Sequence, residues 1–244
     1  MDDNCAVISS PGLGEPGAQS IRPLHDDFTG EPHQAWESLR MARWGVSKRL
    51  VDLNLSLLLI ALLAPLLLIT TLLVSCSGGP VFFAQQRIGR NNRPFPCYKF
   101  RTMVPNAAAV LEELLRTDPV ARAEWEKDHK LRHDPRVTRI GQFLRRTSLD
   151  ELPQILNVLR GEMSLIGPRP ITQAEMVRYG KAARYYCSVR PGITGLWQVS
   201  GRNDTSYTTR VALDIVYVRH LGPSLDVRIL LRTIVVLLQQ RGAY

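Results

Sequence analysis

From Leu53 to Cys76 the chain reads LNLSLLLIALLAPLLLITTLLVSC, 24 residues without a charge. As a helix this run would extend about 36 Å at ~1.5 Å per residue, enough to cross a hydrocarbon layer about 30 Å thick. It predicts a helix embedded in a membrane. Pro65 stands at its midpoint, where it removes one backbone hydrogen bond and bends a helix. The preceding flank carries Arg40, Arg43, Lys48 and Arg49, and the following one, Gly78 to Arg101, carries Arg87, Arg90, Arg93, Lys99 and Arg101 with no acid. Positive charge marks the cytoplasmic side of a membrane segment, and here both flanks carry it. A helix that breaks at Pro65 and returns to the face it entered satisfies both flanks. The alternative is an ordinary span with a tolerated proline and a basic domain on the far side.

The remaining composition divides the chain of 244 residues into three. Residues 1–39 hold seven acids against Arg22 and are rich in Pro, Gly and Ser without periodicity. They read as a disordered acidic tail, and they lack the basic start, apolar run and cleavage site of a signal peptide. Residues 40–77 form the membrane segment. Residues 78–244 read as a compact cytoplasmic domain. Beyond residue 39 the chain carries 30 basic and 15 acidic side chains, a surplus that calls for an anionic partner such as acidic lipid, a phosphorylated substrate or nucleic acid. Two short β-like stretches, VFFAQQRIG and PFPCYKFRTM, flank the turn residues NNRP. Asn106 is placed to cap a helix through VLEELLR, and a charged helix is expected from Val120 to about Leu131. Helical spacing returns in ITQAEMVRYGKAARYYCSVR and YTTRVALDIVYVRHL, separated by the irregular PGITGLWQVSG. The last apolar run, SLDVRILLRTIVVLLQQRG, is interrupted by Arg228 and Arg232, which favours an interfacial or packed helix over a second span. The expected fold is mainly α with short β elements (α+β), monotopic in the membrane.

Asp150 and Glu151 in SLDELPQ lie between basic residues on both sides, Arg145 and Arg146 before them and Arg160 and Arg169 after. Ser148 and Glu151 have the spacing of a capping box, and Leu149, Leu152, Ile155, Leu156 and Leu159 supply an amphipathic stripe. A purely structural role for the acids is therefore open. The chemical alternative follows from the arginines, whose planar forks suit phosphate oxygens. Carboxylates in so positive a setting either hold Mg2+ or attack phosphorus directly. The four cysteines form no metal or disulfide pattern. His129 and His133, four apart in a charged run, read as a solvated pair.

KFRTM (99–103), DPRVTRIG (134–141), SLDELPQ (148–154), GEMSLIGPRP (161–170), PGITGLWQVSGRN (191–203) and the final RGAY together resemble the bacterial sugar transferases, the monotopic polyprenyl-phosphate phosphoglycosyl transferases, over about residues 44–244. The resemblance is closest to members that start exopolysaccharide repeat units with galactosyl or glucosyl phosphate. It implies that Asp150 attacks the β-phosphorus of a UDP-sugar and expels UMP, and that undecaprenyl phosphate then takes the phosphosugar. It further implies that Glu151 holds Mg2+ and Arg169 grips phosphate, with Lys99, Arg101 and Arg145 as further phosphate-binding candidates. A re-entrant helix kinked at Pro65 in the bacterial inner membrane, with the catalytic domain facing the cytoplasm, is implied as well. Ala64 stands where relatives often carry Ser, so the kink rests on Pro65 alone. Expected partners are the UDP-sugar, undecaprenyl phosphate and membrane lipid, with a homodimer as the candidate assembly and no nucleic acid. The rival reading from another class is a membrane-tethered scaffold or regulator of polysaccharide assembly without catalysis.

Overall fold

The computed structural model describes residues 31–128, 131, 133–201 and 205–239, with side chains from residue 44 onward except 127, 128 and 239. Tail residues 1–30, His129, Arg202, Asn203 and the final RGAY lie outside the described residues.

The first helix, α1 (Glu31–Ser75), starts before the expected boundary at residue 40 and carries Pro65 inside it. Helical structure continues through the proline, so a return to the entry face would take a kink within one helix rather than a gap between two. A proline forfeits one rung of the ladder and can leave the others in place. Its stretch Trp44–Ser75 is the one helix, among the described residues, long and apolar enough by length and composition to cross a membrane. One stripe of α1 faces protein: Asp52, Ser56, Thr70 and Val74 are buried, while Leu57, Leu58, Leu62, Leu68, Ile69, Leu72 and Leu73 are exposed. The buried positions form two pairs four residues apart, 52 with 56 and 70 with 74, on one side of the helix.

The Trp44–Ser75 stretch of α1 docks near both of its ends on one body. At the N-terminal end, Trp44 and Lys48 donate to Asp226, Arg49 donates to the carbonyls of Val158 and Leu159, and Asp52 accepts from the Leu165 N–H. At the other end, Leu67 and Val74 pack with Val81, Phe100 and Leu144. There Arg101 donates to the Val74 carbonyl and to Ser77 Oγ, at 3.3 and 2.8 Å.

That body begins with an antiparallel hairpin, β1 (Phe82–Ile88) and β2 (Pro94–Phe100), in register Phe82↔Phe100 to Ile88↔Pro94. Its turn uses Asn91 and Asn92 at φ near +59° and +58°, a region asparagine tolerates better than most residues. Helices α2 (Ala107–Thr117), α3 (Pro119–Asp128), α4 (Arg139–Thr147) and α5 (Gln154–Arg160) follow. Asn106 stands at the start of α2 but makes no side-chain cap hydrogen bond. Strand β3 (Ser164–Ile166) pairs in parallel with β4 (Gly192–Thr194), and between them lie α6 (Gln173–Tyr179) and α7 (Ala183–Ser188). The continuous helix expected there is split at Gly180, whose φ of 48° and ψ of −125° are not helical. Helices α8 (Tyr207–Arg219) and α9 (Pro223–Gln239) complete the domain.

The main core joins Phe95 and Cys97 of β2, Val158 of α5, Met163, Leu165 and Ile166, Tyr217 and Val218 of α8, and Ile229 of α9. Helix α9 buries Asp226 and Ile229 but exposes Val227, Leu231, Ile234, Val235 and Leu238. Those five share one face by spacing, the pattern of a helix lying against an apolar medium. The architecture is thus mostly helical with four short strands among the described residues.

Candidate active site

Asp150 sits in a single 3-10 turn, Leu149–Glu151, between α4 and α5. The local geometry corrects the expected capping box. Ser148 adopts a left-handed φ of 58°, closes α4 by donating its N–H to the Leu144 and Arg145 carbonyls, and makes no side-chain cap hydrogen bond. The Glu151 carboxylate turns instead to Lys99. Helix α5 starts at Gln154 behind Pro153, where a missing N–H costs nothing. A true capping box lies at Thr172 and Glu175 at the start of α6. Placing a left-handed non-glycine residue two positions before the first of two acids stores strain of about 1 kcal/mol close to them.

All six expected polar site residues, Lys99, Arg101, Arg145, Asp150, Glu151 and Arg169, line one cavity of about 800 Å³. Each comes from a different device. Lys99 and Arg101 project from the end of β2, and Arg145 from the last turn of α4, where its Nε donates to Thr102 Oγ1 at 3.0 Å. Gly141 lets α4 approach this segment, because a Cβ there would fall 2.0 Å from the Thr102 carbonyl oxygen. Arg169 follows β3 on the Pro168–Arg169–Pro170 turn, and Gly192 permits that turn: its Cβ would meet the Gly167 N at 2.0 Å. Arg87 holds the turn from the other side, donating to the Pro170 carbonyl at 3.1 Å and to Glu175 at 3.2 Å. Pro65 is distant in role, inside α1 and absent from the cavity lining.

The two acids differ electrostatically. Lys99 Nζ lies 2.6 Å from Glu151 Oε1 and 3.8 Å from Asp150 Oδ2. Asp150 is only 8% exposed. Burial pushes its carboxyl up to about 6, aided by Glu151, while Lys99 and Arg145 pull it back. For Glu151, burial acts in the same sense, but Lys99, through charge and hydrogen bond, and Arg169 outweigh it and hold the carboxyl below the usual range. Asp150 is therefore a buried carboxylate that keeps its basicity, beside a Glu151 that stays ionised. An oxygen of raised basicity facing a positive cavity suits attack on an electrophilic phosphorus.

Much of the remaining lining is apolar. Phe82, Phe83, Leu152, Ile193 and Leu237 contribute to it, and Phe82, Phe83 and Leu237 belong to the exposed apolar surface. Arg101 is 8% exposed, and its Nε and Nη1 are buried without a hydrogen-bond partner among the described residues. Its Nη2 anchors α1, so Arg101 serves the scaffold as well as the cavity's positive potential.

Several neighbours were not read from sequence. Trp197, 2% exposed, is flanked by Arg169 at 5.4 Å and Arg210 at 4.6 Å from the ring centroid. Such stacking restricts the Arg169 guanidinium. Thr102 orients Arg145, and Gln85 and Gln198 add polar lining. Trp197 and Gln198 sit in the GLWQVSGRN motif, which marked them without supplying a role. Arg87 was counted only as flank charge.

A family model described as bacterial sugar transferase matches residues 43–240. The chain is 56% identical over 197 residues to a UDP-galactose-lipid carrier transferase of Erwinia amylovora, covering 81% of this chain and 41% of that protein. It is 52% identical over 197 residues to an undecaprenyl-phosphate galactose phosphotransferase of Salmonella typhimurium, again 81% of this chain and 41% of that one. With the exopolysaccharide production protein ExoY of Sinorhizobium fredii it shares 48% over 201 residues, 82% of this chain and 89% of ExoY. The chain thus spans less than half the length of the first two and most of the third.

Proposed function

Because the chain belongs to the bacterial sugar transferase family, we propose that it moves a sugar 1-phosphate from a UDP-sugar, UDP-galactose or UDP-glucose, to undecaprenyl phosphate. This is the first membrane step in building an exopolysaccharide repeat unit. The observation that carries the reading is Asp150, buried in a cavity whose lining combines Lys99, Arg145 and Arg169 with apolar side chains. A cavity lined by both cations and the exposed apolar Phe82, Phe83 and Leu237 matches a phosphate on a lipid tail.

In the first half-reaction an Asp150 carboxylate oxygen attacks the β-phosphorus of the UDP-sugar. The bond from that phosphorus to the bridging oxygen breaks, and UMP leaves with the electron pair. In the second, an oxygen of undecaprenyl phosphate attacks the phosphorus held on Asp150. The acyl phosphate bond breaks, and the polyprenyl diphosphate sugar departs from a regenerated carboxylate. Arg169, restrained by Trp197, grips the transferring phosphate, and Lys99 and Arg145 offset charge as the leaving oxygen becomes anionic.

The donor set fits Mg2+. Carboxylate oxygens are hard ligands, Mg2+ is commonly held by one or two carboxylates plus substrate phosphates, and Lys99 engages only Oε1 of the Glu151 carboxylate, which leaves Oε2 to face an ion. Glu151 would hold the ion, which supplies charge neutralisation on the diphosphate.

The re-entrant arrangement of α1, with the domain on the cytoplasmic face of the inner membrane, is part of the proposal. It is supported by the docking of the apolar Trp44–Ser75 stretch near both of its ends on the same body and by basic residues on both flanks. With purified protein, UDP-sugar, Mg2+ and undecaprenyl phosphate, Asp150→Asn should lower UMP release by at least about 10³-fold, as loss of a nucleophile does. Undiminished release would overturn the nucleophile and leave the scaffold reading.

A further inference from the structure

A second cavity, of about 390 Å³, shares no lining residue with the first and takes no part in the reaction above. Its lining includes Lys48, Arg49, Arg90 and Arg190, with Asp52 the only acid. Lys48 is committed to Asp226 at 2.7 Å. Arg49 and one nitrogen of Arg190 close the C-terminal end of α5, bonding the carbonyls of Val158, Leu159 and Gly161. Among the described residues, none of Arg49, Arg90 and Arg190 has an ion-pair partner within 4.0 Å. Asp52 spends one oxygen on the Leu165 N–H. Three guanidiniums therefore share a concave site with one carboxylate, and a surplus of like charge in a recess is relieved by an anion. Ser164, Ser188 and Tyr217 complete a polar lining.

Position identifies the class of anion. Gly45 to Asp52 supply one wall, directly before the uncharged run that opens at Leu53. A cavity there stands at the level where lipid headgroups meet an embedded helix. The far wall is the β1–β2 turn at Arg90 and Asn91 together with Val189 and Arg190. We propose that this recess binds the phosphate of an anionic phospholipid headgroup, clamping the N-terminal end of α1 against the hairpin turn.

The test uses full-length protein in a neutral detergent and follows binding by native mass spectrometry. Dioctanoyl phosphatidylglycerol, dioctanoyl phosphatidylcholine and inorganic phosphate are the three probes. The glycerol lipid should bind about tenfold more tightly than the choline lipid. Arg90→Gln, at an exposed turn, and Arg190→Gln should each weaken it by about fivefold, the weight of one basic residue at an anionic surface. Arg93→Gln, exposed on the same turn but outside the cavity, should leave binding unchanged. Equal binding of the two lipids, or equal weakening by Arg93→Gln, would overturn a built site. Inorganic phosphate binding as tightly as phosphatidylglycerol would overturn the lipid as its source.

Discussion

Asp226 and Asp150 are buried to nearly the same extent, 6% and 8% exposed, yet they are built for opposite ends. Around Asp226 every approach is filled: Lys48 Nζ at 2.7 Å, Tyr217 Oη at 2.9 Å and Trp44 Nε1 at 3.3 Å. The result is a knot that ties α1, α8 and α9 together. Around Asp150 the nearest cation stands at 3.8 Å and gives its short contact to Glu151 instead. A carboxylate whose partners saturate it is stable and inert. One that is desolvated but left short of partners retains basicity and remains available to a substrate.

The largest effect that could break this contrast is on stability at the knot. Asp226→Ala strands the buried Lys48 ammonium and should cost about 3–5 kcal/mol, seen as a lowered midpoint of thermal unfolding in detergent. A loss under about 1 kcal/mol would mean the knot is ornamental. At Asp150 the sign reverses. Its folded carboxyl is raised from 3.8 to about 6, so the native state binds the proton more tightly. Its stabilisation is present below about pH 4 and is lost as pH rises through about 6. Asp150→Asn should therefore stabilise the protein at pH 7, by about 1–3 kcal/mol, and make little difference at pH 4, as unfolding curves at the two pH values would reveal. UMP release by the unaltered chain should fall about tenfold per unit below pH 6, because the nucleophile must be ionised.

Much of this site was legible from residue types alone. The arginines and the acid pair announce phosphate chemistry wherever they meet, and the hairpin was readable because NNRP can only turn. The stripe of α1 that faces protein was not, because the run is apolar all round and carries no period that separates lipid from core. Nor was the left-handed Ser148, since S-x-x-E reads identically whether the serine starts a helix or ends one. The genuine capping box at Thr172 and Glu175 carries the same spacing in sequence. Trp197 needed three dimensions, because Arg169 and Arg210 are brought to its two sides only by the fold.

Lys99 sharpens the contrast further. Burial raises the Asp150 carboxyl and Lys99 is the strongest influence lowering it, so Lys99→Gln should move the midpoint of the UMP-release pH profile above that of the unaltered chain. An unmoved midpoint would remove Lys99 from the circuit. The smallest effect concerns Ser148. Glycine carries no Cβ into the left-handed region, so Ser148→Gly should be neutral or stabilising by up to about 1 kcal/mol, whereas a capping serine would make the same change destabilising.

The central claim is a covalent bond to Asp150. Intact-protein mass spectrometry of the purified chain, incubated with UDP-galactose and with UDP-glucose and Mg2+ but without undecaprenyl phosphate, tests it most directly. With one of the two donors the protein should gain a hexose phosphate, mapped to the peptide containing Asp150, absent from Asp150→Asn and discharged when undecaprenyl phosphate is supplied. Release of UMP with no adduct on rapid acid quench, or an adduct that persists in Asp150→Asn, would contradict it.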